Sequence, residues 1–233
     1  TEKSYRMSLM AIERQHQAER EALETQINAH FLCNTLGTIN YEAIEAGNRK
    51  VSLLIKKLSN ILRYTFDQKC QNVYMSQEFA WIEQYLYLQK ARFEDAFDYE
   101  IDLQEEYDMW PCCKLMLQPF VENAIIHGFK GREIGGMLKI MAKGQGEYIK
   151  IVINDNGYGI PEEREKAIQE IIKGNDVSDD LRIGIGIRNV VARIHIFYGD
   201  SAQISLWSKE GEGTKFEFLL PYPERKEECR TEY

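Results

Sequence analysis

Proline is scarce and late in this chain. There are five in 233 residues, and none precedes Pro111. Residues 4–46 hold a single glycine, Gly37. A segment without these breakers can run as one uninterrupted helix. No apolar stretch approaches the roughly 20 residues of a membrane-spanning helix, and no signal-peptide pattern is visible. Lysine and arginine are outnumbered, for a net charge of -8. That balance argues against a nucleic-acid partner, because phosphate contacts need clustered basic residues. The cysteines, Cys33, Cys70, Cys112, Cys113 and Cys229, are odd in number and form no CxxC pair. They predict neither a disulfide framework nor a zinc site, and they fit a reducing compartment. Internal repeats and low-complexity tracts are also missing. With 44% hydrophobic and 28% charged residues, the composition is that of a soluble globular protein. The chain starts at Thr1, already within a helical pattern, and is expected to be part of a longer protein whose remainder lies upstream.

Leu9, Ile12, His16, Leu23, Ile27 and His30 recur at spacings of three, four or seven. Leu32, Leu36, Ile39 and Ala43 extend the apolar stripe along a neighbouring line. This periodicity predicts a long amphipathic helix that needs a partner. Gly47-Asn48 should end it. Val51, Leu54, Ile55, Leu58, Ile61 and Leu62 mark a second helix. The resulting hairpin keeps an apolar stripe uncovered, and pairing into a dimeric four-helix bundle would bury it.

The remainder mixes helices and strands. Ser76 is a candidate N-cap for a helix over residues 77–93. Tyr99 to Leu103 alternates as a strand does. Pro111 is expected to open a helix reaching His127. Residues 137–143 and 148–154 predict a hairpin about Gly144-Gln-Gly146. A helix should follow Pro161, and another should run from Gly186 to about Phe197. Residues 173–181 form a polar, acidic loop. Residues 203–208 and 214–220 predict two closing strands. The expected organisation is a helical hairpin over residues 1–70, a connecting helix over 71–98, an α+β two-layer sandwich over 99–223 and a charged tail over 224–233. The boundary between the halves falls near 68–75 or 95–98.

Three short motifs stand in the second half. The first is Gln118-Pro-Phe-Val-Glu-Asn-Ala-Ile-Ile-His-Gly128. Asn123 carries a neutral oxygen suited to a hard cation such as Mg²⁺. His127 lies one helical turn on, where it can meet a phosphate. Next comes Asp155-Asn-Gly-Tyr-Gly-Ile160, at the end of a strand. A carboxylate there can accept a hydrogen bond from an adenine amino group, and Gly157 and Gly159 let the backbone approach the base. Last is Gly184-Ile-Gly-Ile-Arg-Asn189, before a helix. Glycines in that position expose N–H groups to an anion at the helix N-terminus. No early βαβ unit precedes it, so it is not a dinucleotide-binding fingerprint.

In this order the three motifs resemble the ATP-binding (Bergerat) module of the GHKL superfamily, which spans sensor histidine kinases, gyrase-type ATPases and Hsp90-type chaperones. The resemblance implies that Asn123 is a Mg²⁺ ligand and that Glu122 is an acid/base or supporting carboxylate. It implies that Asp155 reads adenine, with the Thr214 hydroxyl assisting. Gly184 and Gly186 become a second glycine box, and the loop over 173–181 becomes a lid.

Upstream, residues 26–36 read Gln-Ile-Asn-Ala-His-Phe-Leu-Cys-Asn-Thr-Leu. They resemble the QINPHFLYN box of YesM/LytS-type sensor histidine kinases, in which the histidine is phosphorylated, and His30 maps onto it. Ala29 stands where the family has proline, and Cys33 where it has tyrosine. Without that proline the helix should run straighter into His30. Phe31 follows His30 where other histidine kinases carry an acidic residue, so no adjacent carboxylate serves as a general base. Asn34, one turn after His30, is a candidate for orienting a hydrolytic water.

The resemblance implies a cytoplasmic kinase core acting as a homodimer, with ATP and Mg²⁺. The γ-phosphoryl would pass to His30 and then to an aspartate of a response-regulator receiver domain. Membrane attachment would come only through an upstream sensor. Two alternatives are an ATPase that drives conformational change with Glu122 activating water, and a signalling adaptor that binds ATP without transferring it.

Overall fold

The computed structural model describes residues 29–67, 72–175 and 185–223. The chain divides into two compact units between residues 68 and 69.

In the first unit, helix α1 is described over residues 29–45. Gly47, at φ 67°, takes the left-handed turn that ends it. The N–H of Gly47 bonds back to the Ile44 carbonyl and that of Asn48 to the Ala43 carbonyl. Asn48 then caps α2 (Arg49–Phe66), its side chain accepting from the Val51 N–H at 3.1 Å. Across the hairpin, the Ser52 hydroxyl donates to Asn40 Oδ1 at 2.7 Å. Ala43, Ile55 and Ile61 are buried between the helices. Phe31, Leu32, Ile39, Ile44, Val51, Leu53 and Leu58 stay exposed. The expected stripe beyond the hairpin's own core is therefore present. The helical pattern upstream of residue 29 lies outside the described residues.

The second unit opens with β1 (Asn72–Tyr74) and α3 (Met75–Phe93). The helix begins one residue before the expected cap Ser76. The Gln77 side chain accepts from the Tyr74 N–H at 2.9 Å and so satisfies the start. A five-stranded sheet follows in the order β2-β4-β5-β7-β6, formed by β2 (Phe97–Leu103), β4 (Gly136–Gln145), β5 (Tyr148–Asp155), β6 (Gln203–Lys209) and β7 (Gly213–Pro221). β2 runs parallel to β4, and the other pairs are antiparallel.

Pro111 does not open a helix. Residues Pro111–Cys113 form β3, paired antiparallel with β1 in the register Tyr74↔Pro111. The strand's first position tolerates the missing N–H. Tyr198 further fixes it by donating its hydroxyl to the Pro111 carbonyl at 2.8 Å. The helix α4 starts later, at Gln118, with Pro119 in its first turn, and runs to Asn123. One π-helical turn, Ala124–Gly128, continues it. α5 (Glu162–Ile172) and α6 (Ile185–Tyr198) complete the helical layer.

Strand alternation places Leu138, Ile140, Ile149, Ile151, Phe216, Phe218 and Leu220 on the buried face. Against them pack Phe120 of α4, Ile168 and Ile171 of α5, and Val190 and Ile194 of α6, all buried. The Phe120 ring lies 4.7 Å from that of Phe216 and 4.9 Å from that of Phe218. This contact anchors the start of α4 to the middle of the sheet. The other sheet face carries polar pairs such as Lys150–Glu217 and Lys139–Glu100. Helices on one face of the sheet make the two-layer sandwich that the sequence predicts.

Candidate nucleotide site

Between the helical layer and the end of β5 lies a cavity of about 130 Å³. Asp155, Asn123, His127, Gly159, Arg164 and Thr214 line it, with apolar walls from Phe120, Ile160, Ile168 and Ile187. A flat apolar slot with one buried acceptor and a charged rim suits a purine carrying phosphates.

Asp155 is the last residue of β5 and pairs with Thr214 across the ladder. It is 6% exposed. The Gly157 N–H donates to its Oδ1 at 2.8 Å. Burial outweighs this bond and a second one from the Thr214 backbone, pushing the carboxyl up to about 6. The group is a buried acceptor with capacity left for a ligand's amino group.

The glycines around it are required by contact. A Cβ on Gly157 would stand 2.5 Å from the Gly128 carbonyl oxygen and 2.7 Å from Asp155 Oδ1. Gly159, at φ 72°, lies against the Lys209 carbonyl. The Tyr158 N–H donates to the Gly128 carbonyl at 2.9 Å. The end of the Asn123–His127 segment is thereby stitched to the turn after Asp155. Asn156 locks the turn from the other side. Its Oδ1 accepts from the Met137 N–H at 2.7 Å and from Arg132 at 3.0 Å, and its amide donates to the Gly135 carbonyl at 3.0 Å.

Asn123 ends α4 and His127 lies in the π turn, yet both line the cavity. Such turns occur often where a helix serves a site. His127 is held below its ordinary value by partial burial and by the neighbouring charges of Arg164 and Lys130. It stands beside two fixed cations. Together these groups make a donor-rich edge suited to phosphate oxygens.

Glu122 is placed differently. Its carboxylate accepts from the Gln118 side chain at 2.7 Å and is not among the cavity's lining residues. Tyr85 of α3 feels its charge: burial first, then Glu122, raises the phenol to about 12. The Thr214 hydroxyl also departs from expectation. It lies 3.0 Å from the Ser208 hydroxyl, and it is the Thr214 backbone that serves Asp155. Ser208 in turn accepts from the Ile160 N–H at 2.8 Å, tying β6 to the cavity wall.

Gly186 is exposed at the start of α6, with only Pro119 near its α-carbon. Gly184 and residues 176–181 of the predicted lid loop lie outside the described residues. Gly128, Arg164, Phe120 and Ile187 belong to the site but were not singled out by sequence reasoning. Gly128 had a signal, a glycine directly after His127. The others are visible only once α4, α5 and α6 pack together.

In the first unit, His30 is exposed on α1. The Asn34 amide nitrogen lies 3.3 Å from its Nδ1, as the one-turn spacing predicts. No described residue next to it supplies a carboxylate contact.

Residues 18–97 match the family described as Histidine kinase. Residues 113–224 match the Histidine kinase-, DNA gyrase B-, and HSP90-like ATPase family. The Sensor protein kinase HptS of Staphylococcus aureus strain USA300 is 31% identical over 199 residues, covering 85% of this chain. That alignment takes in 37% of the relative, so the chain spans well under half its length. The same protein from strain NCTC 8325 / PS 47 matches equally, at 31%. A solved histidine kinase domain from the Erythrobacter litoralis EL346 blue-light activated histidine kinase superposes with a TM-score of 0.49 at 14% identity. The superposition covers 84% of this chain and 94% of that one.

Proposed function

Since this chain belongs to the sensor histidine kinases of the GHKL superfamily, we propose that it binds Mg·ATP in the cavity beside Asp155 and transfers the γ-phosphoryl to His30. The observation that carries the reading is Asp155: a buried carboxylate at a strand end, on the wall of a cavity whose rim holds Asn123, His127 and Arg164. The adenine amino group donates to Asp155 while Phe120, Ile160, Ile168 and Ile187 enclose the ring. Arg164, Lys130 and His127 meet the phosphates. Gly186 and Gly184 supply backbone N–H groups toward them.

Asn123 is the Mg²⁺ ligand in this reading, because the residue lines the cavity and an amide oxygen suits a hard cation. The bound cation neutralises phosphate charge, the main requirement of phosphoryl transfer. Glu122, engaged with Gln118, acts one layer behind Asn123. That engagement weighs against the ATPase alternative, which needs Glu122 on a water.

A ring nitrogen of His30 supplies the nucleophile. Its bond to phosphorus forms as the bond from phosphorus to the bridging oxygen breaks, and ADP leaves. The phosphoryl then passes to an aspartate of a receiver domain. The exposed face of the hairpin pairs with a second copy. In this reading the core serves a longer, membrane-attached sensor. Incubation with γ-labelled ATP and Mg²⁺ tests the reading: it requires protein-bound label that survives alkali and is lost in acid.

A further inference from the structure

The most deeply buried charged side chain described in this protein belongs neither to the cavity nor to the hairpin. Glu78, in the first turn of α3, is 0% exposed. Its carboxylate accepts from the Leu115 N–H at 2.8 Å and from the Leu117 N–H at 3.1 Å. Those groups lie in the short segment that leads from β3 into α4. Leu115 is one of two non-glycine residues with positive φ among the described residues, at φ 57°. A leucine takes that conformation only when its surroundings impose it. The two bonds from Glu78 are such a constraint. They span Leu115 and end at Leu117, the residue that caps α4.

The same segment is held from the far side. Arg193 of α6 donates to the Lys114 carbonyl, and Tyr198 donates to the Pro111 carbonyl at 2.8 Å. Residues 111–117 are thus gripped by α3 on one side and α6 on the other. Tyr85 lies two turns along α3 from Glu78, and Glu122 of α4 acts on its phenol. Glu78 thus bonds the segment that opens α4, and Tyr85 lies within electrostatic reach of Glu122 near its end.

An ionised carboxylate in a dry interior is costly unless it is fully bonded. An apolar residue would hold a helix against a core more cheaply. A buried acceptor for two backbone donors instead fixes the direction in which α4 starts. Asn123 stands at the end of that six-residue helix, and His127 one turn later. Asp155, by contrast, is held by the β5–β7 ladder and by Gly157, independently of Glu78.

We propose that Glu78 is a positioning residue for the metal and phosphate half of the nucleotide site. It sets the start of α4 so that Asn123 reaches the cation, while the Asp155 carboxylate keeps its own support in the β5–β7 ladder and the Gly157 N–H. The inference rests on the nucleotide site proposed above. It predicts a split between two halves of one ligand, which a general loss of packing would not produce.

The test is E78Q, in which one amide N–H replaces an acceptor and opposes a backbone donor. ADP affinity is measured by titration calorimetry in EDTA and again in Mg²⁺, with thermal unfolding as the check on folding. The parent should bind ADP more tightly in Mg²⁺. E78Q should bind ADP in EDTA within about twofold of the parent and lose most of the Mg²⁺-dependent tightening, about tenfold if one good ligand is displaced. Should E78Q not fold, E78Q/L115G replaces it, because glycine takes the positive φ without strain. The same split is expected there. Equal loss under both conditions in a folded variant, or an unchanged Mg²⁺ effect, would overturn the proposal. A parent that binds no ADP at all would overturn the site itself, a separate outcome.

Discussion

Gly128 and Gly157 meet backbone to backbone: a Cβ on Gly157 would lie 2.6 Å from the Gly128 α-carbon and 2.5 Å from its carbonyl oxygen. The two glycines come from different motifs, and their contact joins the helix bearing Asn123 and His127 to the turn after Asp155. No side chain fits between them. The site is one object because Gly157 lacks a Cβ where it meets Gly128.

Gly157→Ala should therefore separate the two motifs. The added methyl must move backbone, so a loss of about 1–3 kcal/mol is expected, with nucleotide binding severely weakened. Gly37→Ala is the matched control. Its Cβ would meet nothing within 4 Å, and alanine in a helix interior should stabilise by roughly 0.5–1 kcal/mol. Thermal unfolding of both variants checks the pair, and similar shifts in the same direction would refute the contact argument.

Asp155 should make adenine binding depend on pH. Its carboxyl is raised to about 6 from 3.8 by burial. A raised carboxylate favours the fold below its unfolded value, and that contribution is lost as pH rises through about 6. At pH 7 the ionised group costs the fold roughly 2–3 kcal/mol. Asp155→Asn should accordingly be more stable than the parent at pH 7, with the gap closing toward pH 4. Binding runs the other way. An amino group donated to the carboxylate favours its ionised form, so adenosine affinity should fall as pH drops below about 6. Adenosine is the right probe because it carries no phosphate to titrate. Affinity that stays flat from pH 5 to 7.5 in the parent would count against Asp155 as the adenine acceptor.

Asp155→Ala and Asn123→Ala should fail differently. The first removes the buried acceptor and should abolish binding of adenosine and ATP alike. The second should spare adenosine and cut Mg²⁺-dependent transfer, by 10²-fold or more if the cation is displaced. Parallel titrations with adenosine and Mg·ATP make the comparison. Matching losses for both ligands in both variants would erase the assigned division of roles.

The hairpin should pair. Phe31 is 66% exposed and Ile44 58% exposed on α1, in a hairpin whose buried residues include Ala43, Ile55 and Ile61. Sedimentation at micromolar concentration should show a dimer, and Ile44→Glu should shift it toward monomer by placing a charge in the buried seam. A parent that sediments as a monomer would contradict the four-helix arrangement.

Much of this was legible in the sequence because the signals were local. The break at Gly47-Asn48, the alternation in β4 and β5, and the helix after Pro161 each follow from adjacent residues. Asp155 and its glycines were legible for the same reason. Pro111 misled because its tertiary partners decide its state. β1 pairs with it and Tyr198 bonds its carbonyl, and neither is near it in sequence. In the sequence Glu78 is an ordinary acid in the first turn of a helix. Its bonds reach 37 and 39 residues downstream, a distance that no periodicity encodes. Glu122 adjoins Asn123 in the motif, yet its carboxylate accepts from the Gln118 side chain and does not line the cavity.

The central claim is transfer to His30, and the most direct measurement is incorporation of γ-labelled phosphate into the parent and into His30→Gln, with ATP affinity measured on both. The parent should take up acid-labile label that maps to His30. The variant should take up none while binding ATP as the parent does, since Asp155 and its cavity are unaltered. Undiminished label in His30→Gln, or no label in a parent that binds Mg·ATP, would contradict the account.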